Sequence, residues 1–230
     1  MKSLKILLVV MGLFWHAVAS YGAIGCTLNN PAQDLKFLFP EVTSFKEEIR
    51  EFRHFPDGQK LFAELKERLG SDLDPVYEAY ETPYTVYTVF KGNELIGIVH
   101  GVNVPGRGGV IQVFLATDPK TGGIENFFFQ RLESPEAKAL KNRDFRKRFT
   151  GLTLGDFYKH DYFRKVEPDS KVDKVNEILD SAGEQRHGPD FAASVRGIRK
   201  NLILLDMFIY NRLFEPFYKR TVELLSSKGQ

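Results

Sequence analysis

Tyr84-Thr-Val-Tyr-Thr-Val-Phe90 opens a stretch of alternating β-branched and aromatic residues that runs to Leu132. Lys91-Gly-Asn-Glu94 supplies a turn, and Leu95 to Val104 forms a second run. Pro105-Gly-Arg-Gly-Gly109 leads into a third, Val110 to Ala116. Asp118-Pro-Lys-Thr-Gly-Gly123 then precedes a fourth, Ile124 to Leu132. Runs of this length and composition between turn residues read as strands. Turns this short pair each strand with its neighbour, so an antiparallel meander is expected.

Helical spacing surrounds the meander. Pro31 can open a helix carrying Leu35, Leu38 and Phe39, and Pro40 stops it. Lys46 to Phe52 places Ile49 and Phe52 on one side of a charged segment, so residues 31 to 70 are expected to be helical. Asp57 is expected to cap a run bearing Leu61, Phe62, Leu65 and Leu69, closed by Gly70. Beyond the meander, Ala137 to Phe149 is basic and amphipathic, Leu152 to Phe157 reads as a loop or extended stretch, and Val172 to Leu179 is again helical. Asp190 is expected to cap a long helix, Phe191 to Met207, with Val195, Ile198, Leu202 and Leu205 on one face; Pro216 interrupts its continuation. Helices flanking an antiparallel sheet make an α+β fold. The expected division is residues 1–19, 20–75 (helical), 76–210 (the meander and its helices) and 211–230 (a helical tail).

Residues 1–19 carry the marks of a secretory signal. Lys2 and Lys5 form a basic start, Ile6 to Ala19 is apolar apart from His16, and Ala17-Val18-Ala19 supplies small residues for cleavage. A helix of that apolar run is too short to span a bilayer core comfortably. Ala23-Ile24-Gly25-Cys26 offers a second route, lipid anchoring at Cys26, ranked below simple export. Both imply an extracytoplasmic, periplasmic protein. Leu202 to Leu225 is apolar-rich, but Asp206, Arg212, Glu215 and Lys219 exclude it as a comfortable membrane span.

The 230 residues carry 32 basic and 30 acidic side chains. No acid precedes Asp34, so loss of the leader leaves a neutral protein with no sign of nucleic-acid binding. One cysteine excludes an internal disulfide and a multi-cysteine metal site. The histidines His16, His54, His100, His160 and His187 form no ligand pair, so no metal is expected. No nucleophile elbow is present, and no catalytic residue is assigned. Arg196, Arg199 and Lys200 read as a solvated basic face.

Two places could bind an anion. Gly106, Gly108 and Gly109 around Arg107 could bring backbone N–H groups and a guanidinium to a phosphate, although an ordinary hairpin turn explains the same residues. Glu133-Ser134-Pro135-Glu136-Ala137 reads as a capped helix start, with Ser134 as cap and Pro135 at the first position.

Those two segments carry a resemblance. Gly106 to Pro119, Gly123-Ile124 and Phe127 to Pro135 resemble the core of the bacterial FMN-binding domain, found in flavin-carrying subunits of the sodium-pumping quinone reductase and related complexes. Phe145, Phe149 and Gly151 resemble the aromatic–Gly segment that follows. Glu133-Ser134-Pro135 stands where that family has Glu-Thr-Pro. The attachment motif Ser-Gly-Ala-Thr is replaced by Asp190-Phe-Ala-Ala-Ser-Val195, with Ser194 the nearest hydroxyl, so the resemblance implies non-covalent FMN. It implies a cofactor site of Gly106, Arg107, Gly108, Gly109, Glu133, Ser134, Pro135, Ala137 and Ser194. Tyr84, Tyr87, Phe127 and Phe129 are the aromatics expected near the ring. The function implied is an exported flavin electron carrier, rather than a stand-alone catalyst, working between membrane-associated redox partners. The alternative is a non-redox interaction module that uses the same scaffold to dock a membrane complex.

Overall fold

The computed structural model describes residues 25–161, 164–165, 175, 178 and 188–227. Its centre is a five-stranded antiparallel sheet in the order β1-β2-β3-β4-β5. The strands are β1 (Ser44–Arg50), β2 (Tyr84–Lys91), β3 (Glu94–Gly106), β4 (Gly109–Thr117) and β5 (Ile124–Arg131). The four expected strands are all present and pair in sequence order, giving the expected α+β class with helices on both faces.

The fifth strand is a correction. Ser44–Arg50 is not helical but the edge strand β1, pairing with β2 from Ser44↔Phe90 to Arg50↔Tyr84. It lies before residue 76, so the sheet crosses the expected boundary between the helical segment and the meander.

Alternation along the strands sorts side chains to two faces. Ile111, Val113 and Leu115 of β4 face one way, with Val102 and Val104 of β3 and Phe127 and Phe129 of β5. Against them lies the long helix α6 (Pro189–Phe208), brought close by Gly197, where a Cβ would come within 2.8 Å of Val113. Helix α2 (Gly58–Leu69) adds Leu61, Leu65 and Leu69 to that core. On the opposite face Tyr87, Val89, Val99 and Phe114 meet Leu35, Leu38 and Phe39 of helix α1 (Pro31–Leu38) and its end. Asn30 starts α1 by accepting from the Gln33 N–H, and Pro31 occupies the first turn.

Three further expectations change. Ala137 to Phe149 is two short helices, α3 (Ala137–Leu140) and α4 (Arg143–Lys147), because the Asn142 side chain accepts from the Asp144 N–H and restarts the chain. Leu154–Tyr158 is a helix, α5, closed at its start by a Thr153–Asp156 capping box. Val172 to Leu179 lies outside the described residues apart from Val175 and Ile178, which are helical and buried. A two-stranded ribbon, β6 (His160–Asp161) with β7 (Arg164–Lys165), follows α5. The chain ends in helix α7 (Glu215–Ser227), with Pro216 in its first turn rather than breaking a longer helix. No helix among the described residues is long and apolar enough to cross a membrane.

Helix α6 also buries charge. Lys200 is not on a solvated face: its ammonium pairs with Glu78, donates to the Asn103 carbonyl at 2.8 Å, and is 2% exposed. Asn201 bonds His100 at 2.7 Å, and Asp206 accepts from Arg68 at 2.7 Å. Two of these bonds reach β3, one the segment before β2 and one α2, so together they fix the helix on the sheet and on α2.

Candidate functional site

The hairpin between β3 and β4 is tight: Gly106 pairs with Gly109, leaving Arg107 and Gly108 as a two-residue tip. Glu133 to Ala137, just past β5, packs against this tip. A Cβ at Gly108 would come 1.9 Å from the Glu133 carbonyl oxygen, so glycine is needed there for backbone-to-backbone packing. The start of α6 completes the cluster. Eight of the nine expected site residues therefore meet at one end of the sheet, and Ser194 lies one turn deeper in α6.

The groups that could bind a phosphate are already bound within the chain. Asp190 lies in the first turn of α6, not at its cap, and its Oδ1 accepts from the Arg107 backbone N–H at 2.7 Å. Glu136 Oε2 accepts from the Phe191 N–H at 2.9 Å, so a carboxylate occupies the amino end of α6. Gly188 makes room for it, since a Cβ there would strike Glu136. Asp190 Oδ2 is buried with no hydrogen-bond partner among the described residues, which adds negative potential beside the hairpin amide. Ser134 folds its hydroxyl back to accept from the Glu136 N–H at 3.0 Å, which positions that glutamate. Glu133 extends outward to Arg131, Pro135 is exposed, and Ala137 is half-buried.

Ser194 is fully buried, and its hydroxyl donates to the Asp190 carbonyl at 2.7 Å. That bond points along the helix, so the hydroxyl is not presented to a phosphate at the surface. The expected ring-stacking aromatics are likewise in the core: Tyr84, Phe127 and Phe129 under α6, and Tyr87 under α1. The Arg107 side chain is exposed, whereas its backbone N–H is held by Asp190.

An FMN phosphate placed on the hairpin would meet Asp190 and Glu136, two carboxylates already on the N–H groups it needs. Like charges in a half-buried setting repel, and displacement would unseat both helix and hairpin. The residues present do not fit the group at this junction. Comparison with models of known protein families finds none that matches this chain. A search of curated proteins likewise finds no significant relative.

Two cavities among the described residues lie elsewhere. A groove of about 610 Å³ runs between α2 and α7, lined by Glu64, Arg68, Tyr218 and Val222 among others. A cleft of about 360 Å³ lies where Arg196 and Lys200 face Ser71–Asp74 and Pro105. Neither lining includes the hairpin tip or Glu133–Ala137. No cluster of three metal-ligating side chains occurs among the described residues.

Cys26 is buried beside β2, bridging to Tyr84. Burial pushes its thiol up to about 12, against a smaller opposing pull from the Lys200 charge.

Sequence reasoning missed Glu136 as the partner of α6 and Asp190 as the partner of the hairpin. The local signal was present: an acid directly after Ser134-Pro135, and another directly after Gly188-Pro189.

Proposed function

We propose that this chain is a non-redox interaction module: an α+β scaffold of the kind the FMN-binding resemblance implies, with its anion cradle closed by its own acids. The observation that carries this reading is the paired occupation of the cradle, Asp190 on the Arg107 N–H and Glu136 on the Phe191 N–H. Burial of the candidate stacking aromatics supports it further. The flavin electron carrier, the first reading of the sequence, needs both sets of groups free.

The site of action is taken to be the extracytoplasmic side of a membrane, on the strength of the leader-like residues 1–19. The docking element is the C-terminal helix. Leu213, Phe217 and Val222, three of the large exposed apolar side chains, lie on α7 or just before it. The partner is a membrane-associated complex, and no nucleic acid is involved.

Purification from a flavin-rich host followed by an absorbance scan tests the first half of this reading. A colourless protein is expected, and a visible flavin band would return the assignment to electron transfer. Co-sedimentation with host membranes tests the second half. Val222→Asp should weaken retention on membranes without lowering the melting temperature, because Val222 is exposed. Unchanged retention would remove α7 as the docking element.

A further inference from the structure

We propose that β1 is the seat of a homodimer in which two copies pair antiparallel along Ser44–Arg50, about a two-fold axis at Glu47. The proposal is independent of the functional reading above. It starts from the different treatment of the two sheet edges. Along β5, Arg146 donates to the Phe127 carbonyl at 3.2 Å, and the Ile124 backbone donates to the Leu152 carbonyl and accepts from the Gly151 N–H, each at 2.8 Å. That edge is covered. Strand β1 pairs with β2 on one side, and its outer backbone has no partner among the described residues. An uncovered edge of seven residues is a template for another strand.

The side chains specify which strand. Phe45 and Ile49 are 39% and 55% exposed, and they share a face with Glu47. Lys46, Glu48 and Arg50 share the other face. In an antiparallel pair centred on Glu47, Lys46 lies opposite Glu48 of the second copy, and this contact occurs twice. Phe45 lies opposite Ile49, also twice, so the apolar exposure is covered by itself. Directly opposed residues on one face are neighbours at about 5 Å between Cβ atoms, close enough for both kinds of contact. Centring on Glu48 would oppose Lys46 to Arg50, and so is disfavoured. Charges on an edge strand also serve to repel strands in general. The order of charges here is self-complementary, which mere protection does not require. The one unfavourable contact is Glu47 against its own copy, and it holds the association weak. A strand of this length spans about 24 Å and falls below the standard interface size, so dissociation at micromolar rather than nanomolar concentration is expected.

Sedimentation velocity of the purified chain from about 1 to 200 μM, a range bracketing that affinity, should show a concentration-dependent dimer. Lys46→Glu and Glu48→Lys should each weaken it at least tenfold, by opposing like charges twice. Mixing the two single variants should restore it, since each then supplies the charge that the other needs. Glu47→Gln should tighten the wild-type dimer severalfold. Circular dichroism and melting confirm that each variant is folded, and the mixing arm needs no assumption about either alone. A wild-type monomer throughout the range, a dimer indifferent to Lys46→Glu, or a mixture that stays monomeric would each overturn the proposal.

Discussion

Asp190 accepts a hydrogen bond from the Arg107 backbone N–H at 2.7 Å, which ties the first turn of α6 to the tip of the β3–β4 hairpin. Glu136 reaches the next residue, Phe191, from the other side at 2.9 Å. Two carboxylates from distant parts of the chain thus finish a helix end and a hairpin together, and the junction has a structural role before any ligand is considered.

Asp190→Ala should therefore destabilise the protein. A hydrogen bond to a charged acceptor contributes about 1.5–3 kcal/mol, and the exposed hairpin tip lets water replace part of it. The expected loss in denaturant unfolding is about 1–2 kcal/mol. A variant as stable as the parent would show that the bond does not hold the hairpin.

Gly108→Ala should cost more, about 2–4 kcal/mol, because its Cβ would meet the Glu133 carbonyl oxygen at 1.9 Å and backbone must move. A cradle kept open for a ligand behaves differently: the same change would lower affinity and leave the melting temperature alone. Thermal unfolding separates the two, and an unchanged melting temperature would contradict the packing described for Gly108.

The histidine under α6 gives a pH signature. The Asn201 amide nitrogen donates to Val113 and Gly197, so its Oδ1 faces His100 Nδ1 as an acceptor, and the imidazole is the donor. Burial lowers the imidazole from 6.5 to about 4; the Asn201 bond opposes the shift and the Lys200 charge adds to it. A depressed value means that the neutral form belongs to the fold. Its contribution is complete above pH 6.5 and is lost as pH falls toward 4, amounting to about 3 kcal/mol by pH 4. Unfolding free energy measured between those limits should fall with pH, and His100→Gln should flatten that part of the curve. An equal slope in the variant would place the titration elsewhere.

The meander was legible because β2 to β5 alternate and end in glycine or proline turns. β1 was not, because it touches the sheet along one edge, and its Lys46, Glu47, Glu48 and Arg50 hide a period of two behind a helical coincidence of Ile49 and Phe52. Helix α5 was missed although Thr153 and Asp156 spell its capping box, because Leu152-Thr-Leu also alternates. Lys200 looked solvated in a run with Arg196 and Arg199. Its partner Glu78 sits before β2, and no local pattern announces a pairing across that distance. The same holds at the junction: its hairpin and helix start were each readable, whereas the bonds closing one upon the other join residues far apart in sequence.

On the reading proposed above, Asp190 and Glu136 fill the place a flavin phosphate would take. Titrating FMN into the purified protein and following flavin fluorescence tests it most directly. No saturable quenching is expected, with the signal rising in proportion to added FMN up to about 1 mM, where a dissociation constant corresponds to only about −4 kcal/mol. Stoichiometric quenching at micromolar FMN, lost in Gly108→Val or Arg107→Ala, would contradict it and restore a flavin to the hairpin.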